Sequence, residues 1–225
     1  MIKLVAFDWN GTLLADTEAC WEGANAEFKA AGAKPISLLR YRQTFTIPYI
    51  ECLVKNGVKR KHVLANSKKI SDAFHNFYEP RAARCRTRGG VREVLAWLKK
   101  NRIQSMIYSN HTIVGIESQL KRLKIGHHMD VVLANGAKEG SLHSRGKGQK
   151  LNDYVKRHKL KPGEVISVGD TEEEIEIGKH YGYYTVAITG GYNTVFRLKK
   201  RQPDFLIHNM KELVGIIKKL NNTNI

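Results

Sequence analysis

The sequence predicts an α/β architecture, a parallel sheet covered on both faces by helices, with an all-helical segment inserted after the first strand. Three observations predict it. Short apolar, β-branched runs recur along the chain, and helix-period stretches separate the later ones. The first two runs stand about ninety-five residues apart, far beyond an ordinary strand-to-helix crossover. With 225 residues, 42% of them hydrophobic, the chain is long enough to bury one large core and a smaller accessory one.

The first strand is expected at 2–7, an apolar run stopped by Asp8. The run is too short for a signal-peptide core, and no stretch approaches the roughly twenty apolar residues of a membrane span. The expectation is a cytoplasmic protein with no membrane partner. The insert, residues 15–83, reads as helical from 17 to 78. Within it, 18–30 and 63–77 carry apolar and aromatic residues three and four apart, and Pro35, Pro48 and Pro80 punctuate the segment. Trp21 and Phe28, seven apart, read as core of this helical unit. Strands at 103–108, 131–133, 165–168 and 185–188 then alternate with helices at 91–100, 115–123, 149–158 and 172–181. A strand at 205–208 and a helix at 211–220 complete the pattern. The α/β core is thus 1–14 with 84–225.

Lys and Arg number 38 against 21 Asp and Glu, a net charge of +17 that attracts anions and says nothing of fold. The insert has 11 basic and 7 acidic residues and the remainder 27 and 14, so the positive charge is spread over the core. Lys156, Arg157, Lys159 and Lys161 follow one helix, and Lys199, Lys200 and Arg201 form the tightest run. Such runs are usually solvated faces. A nucleic-acid surface is the lesser reading, because no aromatic residues interleave to make a stacking platform. Cys20, Cys52 and Cys85 lie more than thirty residues apart and form no close-spaced metal pair, which points to a reducing compartment.

Ligands of open parallel sheets bind beyond the carboxyl ends of the strands, so polar residues just after each strand carry the chemistry. Asp8, Asn10, Gly11 and Thr12 follow the first strand, and Ser109, Asn110 and His111 the second. Lys147 stands between Gly146 and Gly148 before a helix. Asp170 and Thr171 follow the fourth strand, ahead of Glu172, Glu173, Glu174 and Glu176. Singly, each has a plain structural role as a turn or helix cap. Together they place carboxylates, a hydroxyl and an ammonium on one rim, a set suited to a hard divalent cation and a phosphate group.

These residues, in this order, resemble the four motifs of the haloacid dehalogenase-like (HAD) superfamily, and the resemblance covers essentially the whole chain. FDWNGTL at 7–13 is similar to its first motif, YSN at 108–110 to its second, Lys147 in KGQKL to its third and VGDTEEEI at 168–175 to its fourth. The resemblance implies a Rossmann-like core with an inserted helical C1 cap at 15–83, as in phosphoglycolate phosphatase-like and β-phosphoglucomutase-like members. It implies a Mg²⁺-dependent phosphatase of a small phosphorylated metabolite. Asp8 is then the nucleophile that forms an aspartyl phosphate. Asp8, the backbone carbonyl of Asn10 and Asp170 hold the metal, with Glu174 reaching it through water and Glu173 in reserve. Ser109, Lys147 and the amides of Gly11 and Asn110 bind the phosphoryl oxygens. Lys150 is the rival to Lys147, and Arg145 a weaker one.

Asn10 departs from the family, whose phosphatases carry there an Asp that protonates the leaving group. An amide shuttles no proton at neutral pH. The loss of general acid help, about 10² to 10⁴ in rate, slows such an enzyme without abolishing it. Three readings account for Asn10: a native variant that uses another acid or a good leaving group, a retired relative that only binds phosphate or another anionic partner such as nucleic acid, or an introduced change. Phosphonate hydrolases and phosphomutases of the superfamily are alternative activities. His111 is a candidate substitute acid. Trp9 is expected near the cap hinge, and Gly190-Gly191 reads as a turn.

Overall fold

In a computed structural model, residues 1–136 and 146–222 are described. β1 (Leu4–Phe7), β2 (Gln104–Thr112), β3 (Val131–Asn135), β4 (Val165–Gly169), β5 (Tyr184–Ile188) and β6 (Phe205–Ile207) form one parallel sheet in the order β3-β2-β1-β4-β5-β6. Side chains alternate across it. Val5 and Phe7 join Ile107, Val168 and Val186 under α6 (Val91–Lys100), α7 (Ile113–Leu123) and α11 (Glu212–Asn222). Leu4 and Ala6 join Met106 and Tyr108 under α8 (Lys147–Arg157) on the other face. Both faces being covered explains why these strands read as continuous apolar runs. The strand order reverses at the neighbours β1 and β4, whose carboxyl ends carry Asp8 and Asp170.

Between β1 and α6 lie α1 (Thr17–Ala30), α2 (Leu38–Thr44), α3 (Ile50–Lys55), α4 (Arg60–Ala65) and α5 (Ser67–Ala82). They bury their own apolar cluster, including Phe28, Tyr41, Leu53, Ile70 and Tyr78, to which the core contributes Tyr192. Trp21 is half-buried at its margin and donates its indole N–H to the Ile36 carbonyl at 2.7 Å. α1 lies close along α5 because Gly23 has no Cβ; one built there would stand 3.0 Å from the Phe74 ring. The two connections to the core pair with each other, Leu14 bridging Thr87 and the Ala15 N–H donating to the Arg86 carbonyl at 2.9 Å. Trp9 is fully buried in the sheet's core cluster with Leu13 and Leu14, at the core end of these connections.

Several boundaries differ from expectation. β2 continues to Thr112, so Ser109, Asn110 and His111 lie within its last turn of chain and not after it. Its register with β3 breaks between Tyr108 and Thr112, which frees these three residues from regular pairing while keeping them at the strand end. α8 begins at Lys147 itself, two residues early. α5 runs through Pro80, which falls in the final turn and forfeits the one bond its N–H would have made to the Asn76 carbonyl. α10 (Val195–Lys200), a single short helix capped by Thr194, was not anticipated. Among the described residues no helix is long and apolar enough to cross a membrane.

α9 (Glu172–Tyr181) seats on the sheet through Gly178, where a Cβ would lie 2.3 Å from Thr185 Cγ2. Gly178→Val is expected to destabilise the fold by about 1–3 kcal/mol or more through overpacking, read as a lower urea midpoint.

Candidate active site

Asp8 leaves the end of β1 with its N–H bonded to the Val168 carbonyl at 2.9 Å, which fixes it beside β4. Its carboxylate is buried and accepts a hydrogen bond from Lys147 Nζ at 2.9 Å. The same ammonium bonds Glu174 Oε1 and stands 3.6 Å from Glu173 Oε2, so one buried cation faces three buried carboxylates. Asp170, fully buried, is the fourth: Thr12 Oγ1 donates to its Oδ1 at 2.8 Å and the Tyr192 N–H to its Oδ2 at 2.6 Å. Burial alone would lower the Lys147 pKa, but Asp8, Glu174 and Glu173 outweigh it and hold the ammonium charged. The acid excess has the opposite consequence. Burial pushes Asp8 well above its ordinary value, with Glu174 and Asp170 adding to the rise, and burial with Glu174 pushes Asp170 up to about 7.

Two glycines let the backbone close on Asp170. A Cβ at Gly11 would lie 2.4 Å from its Oδ2, and one at Gly191 only 2.1 Å away. Gly190-Gly191 is therefore more than a turn. Gly169 performs a similar service for Glu174, whose Cγ would stand 2.0 Å from a Cβ there.

The structure brings Lys147, not Lys150, to Asp8. Lys150 Nζ donates to the Ala134 carbonyl at 2.7 Å and Asn135 Oδ1 at 3.1 Å, tying α8 to the end of β3. Arg145 lies outside the described residues. Ser109 is buried beside the site, and its oxygen accepts the His111 N–H at 3.2 Å, which leaves its own proton unspent on that bond. Asn110 Nδ2 donates to Glu173 Oε2 at 2.8 Å, while its Oδ1 is buried with no partner among the described residues. Both oxygens of Glu174 are committed, Oε1 to Lys147 and Oε2 to the N–H and hydroxyl of Thr171 at 3.0 and 2.6 Å, completing the capping box of α9.

Gly11 needs a correction: its N–H, assigned to phosphate by resemblance, is taken by Asp16 Oδ1 at 2.7 Å. What Gly11 contributes is its positive φ of 73° and its missing Cβ. Asp16 went unremarked in the sequence because an Asp before a helix reads as an N-cap. Its side chain does not cap α1. It turns back and accepts from Asn10 Nδ2 at 2.7 Å, Tyr78 OH at 2.6 Å and Tyr192 OH at 3.0 Å. Asn10 Nδ2 also donates to Tyr78 OH at 2.7 Å, so both amide protons are used. Burial raises the Asp16 pKa against these bonds. Arg88, likewise unremarked, spans the loops after β1 and β5 by donating to the carbonyls of Gly11 at 2.6 Å and Thr189 at 2.5 Å. His111 lines the same cavity, its ring 5.7 Å from that of Tyr78, and burial pushes it down to about 4. It is a neutral imidazole at pH 7, which weighs against it as the acid replacing Asn10.

The cavity between core and helical segment measures about 100 Å³ and has Asp8, Asn10, Ser109 and Lys147 at one end, and Glu27, Phe45, Tyr49 and Phe74 among its lining residues from the insert. No group of three or more His, Cys, Asp or Glu side chains is disposed to hold a metal among the described residues. The oxygen donors present are the carboxylates of Asp8 and Asp170 and the carbonyl of the intervening loop.

Comparison with known proteins agrees with this geometry. Residues 5–188 match the haloacid dehalogenase-like hydrolase family, and the chain belongs to it. It is 22% identical over 225 residues to a phosphoglycolate phosphatase of Vibrio vulnificus, covering 96% of each chain. It is 28% identical over 131 residues to a phosphoglycolate phosphatase of Synechococcus elongatus, covering 58% of this chain and 59% of that one. A haloacid dehalogenase-like hydrolase of Streptococcus pneumoniae superposes with a TM-score of 0.77 at 18% identity, covering 96% and 98% of the two chains, a likeness of fold.

Asp16→Ala strips the acceptor from two hydroxyls, an amide N–H and the Asn10 side chain. It is expected to cost at least about 3 kcal/mol in denaturant unfolding. Glu27 gives a pH test. Burial raises it well above 4.5, so its contribution to stability is full below 4.5 and is lost as pH rises toward the raised value. The stability of Glu27→Gln relative to the parent is therefore expected to increase as pH rises from 4.5, read from melting temperatures measured from pH 4.5 upward.

Proposed function

We propose that this chain is a Mg²⁺-dependent phosphatase of a small phosphorylated metabolite that works through an aspartyl phosphate on Asp8. Residues 15–83 act as a C1-type cap over a core of 1–14 and 84–225. The observation that carries the reading is the buried Asp8–Lys147 pair at 2.9 Å, on the floor of a small cavity and backed by the Ser109 hydroxyl. The phosphatase names of the Vibrio and Synechococcus relatives support it.

Asp8, Asp170 and the Asn10 carbonyl suit the metal. They are all hard oxygens, and three carboxylates around one ammonium, with Asp170 beside Asp8, leave a negative excess that a dianionic ester cannot join unaided. Bound Mg²⁺ neutralises charge at the phosphoryl oxygens and the carboxylates.

The chain's own groups then divide the work. Asp8 Oδ attacks phosphorus and the P–O bond to the alcohol breaks. Lys147, the Ser109 hydroxyl and the nearby amides hold the phosphoryl oxygens in line. Asn10 gives the departing alkoxide no proton, so that proton comes from water, and water later cleaves the aspartyl phosphate without a neighbouring base. Asn10 instead ties the active-site loop to the cap: its amide donates to both Asp16 and Tyr78, which are also bonded directly to each other. An Asp at position 10 would stand 2.7 Å from Asp16 Oδ2, where two carboxyl groups share a proton. Such a pair keeps an acid in place at neutral pH.

Phosphate release from an activated aryl ester is expected to need Mg²⁺, to vanish in Asp8→Ala and to rise by about 10² or more in Asn10→Asp. Lys147→Ala is expected to lower kcat/KM by about two decades or more. Turnover that survives Asp8→Ala, or its absence in both the parent and Asn10→Asp, would overturn the reading.

A further inference from the structure

The cap end of the cavity has a chemistry of its own. Glu27, on α1, lines it and is only 6% exposed, yet no Lys or Arg offsets its burial; the Tyr49 hydroxyl gives the only relief. Tyr49 OH is itself buried beside Glu27 and Cys52, with no partner in full hydrogen-bond geometry among the described residues. Around these two stand aromatic rings. Phe45 lies 6.0 Å from Tyr49 and 5.3 Å from Tyr41, and Phe74 forms another part of the lining. Among the described lining residues Lys147 is the only Lys or Arg, and it is engaged with three carboxylates at the opposite, Asp8 end. His75, also in the lining, has its Nδ1 against Glu79 at 3.0 Å.

We infer that the substrate's alcohol half is an organic cation, an amino or quaternary ammonium alcohol, held by the Glu27 carboxylate within the aromatic walls of Tyr41, Phe45, Tyr49 and Phe74. The inference rests on the phosphatase reading and deepens it. A cation over aromatic faces is attracted by their quadrupoles, and more strongly once desolvated. A buried carboxylate at the same end supplies the counter-charge, and Tyr49 OH finds an acceptor in the ionised carboxylate or in the ligand. In the empty cavity burial favours the protonated form of Glu27. An arriving cation takes that proton's place and releases it to solvent, so charge balances. A carboxylate-bearing ester would meet the opposite situation, an acid and no base with which to pair.

The test compares three phosphate esters on the Mg²⁺-loaded full chain: phosphocholine, its neutral isostere 3,3-dimethylbutyl phosphate, and phosphoglycolate. The account expects kcat/KM for phosphocholine to exceed that for each of the others by about tenfold or more. Glu27→Gln is expected to bring the phosphocholine-to-isostere ratio close to one, an internal ratio that loss of folded protein does not move. Equal or better turnover of the neutral or anionic ester, or a ratio unchanged by Glu27→Gln, would overturn the inference. Calorimetric binding of choline alone separates it from the phosphatase reading. Choline binding that Glu27→Gln weakens by about tenfold supports the cation site even where no ester is hydrolysed. Hydrolysis of an activated ester with no choline binding retains the phosphatase and removes the cation site.

Discussion

Everything in this site depends on one electrostatic constraint: three carboxylates, Asp8, Glu173 and Glu174, are buried around the single ammonium of Lys147, with Asp170 buried beside them. Unpaired buried charge is costly, and one ammonium cannot satisfy three acids. The fold meets the constraint in parts. Glu174 is spent on Lys147 and on the start of α9, Glu173 is held by Asn110, and Asp170 is gripped by Thr12 and the Tyr192 amide. Burial raises Asp8 and Asp170, and Glu174 adds to both rises. Asp8, Glu173 and Glu174 line the cavity beyond the strand ends where the sheet order reverses, and their negative charge favours a cation there.

A second buried acid joins the two halves of the molecule. Asp16 lies at the exit from the core, and its acceptors gather Asn10 and Gly11 from the β1 loop, Tyr78 from α5 and Tyr192 from the loop after β5. The helical insert's position is thereby registered on the residue two after Asp8. In this network Asn10 is a donor twice over, where a protonated carboxyl would donate only once. The amide at position 10 thus ties the helical insert to the loop after β1.

Much of this was legible in the sequence, and what was not has definite causes. The strands were visible because both sheet faces are covered, which makes Leu4–Phe7 a continuous apolar run and leaves Ser167 the one polar residue within Val165–Val168. Asp8, Ser109, Lys147 and Asp170 were visible because strand ends and helix starts place polar residues at known points of a parallel sheet. Asp16 was hidden by its neighbours, since an Asp before a helix carries the same local signature whether it caps that helix or turns away. Gly11 was visible as a phosphate-binding candidate, but neither its positive φ nor the bond its amide makes to Asp16 was. Glu27 carried no signal, because its helix position alone does not separate a solvated acid from one buried against aromatic rings contributed by α2, the segment between α2 and α3, and α5.

The central claim is that Asp8 is the atom-level acceptor of the phosphoryl group and that Asn10 leaves the resulting acyl phosphate without a base to hydrolyse it. Rapid acid quench of the Mg²⁺-loaded chain during turnover of an activated ester, followed by peptide mass mapping, tests it most directly. The account predicts a phosphoryl adduct on Asp8 that accumulates in the parent and falls in Asn10→Asp as breakdown quickens. Phosphate released with no adduct on Asp8 in either protein, or an adduct on another residue, would contradict it.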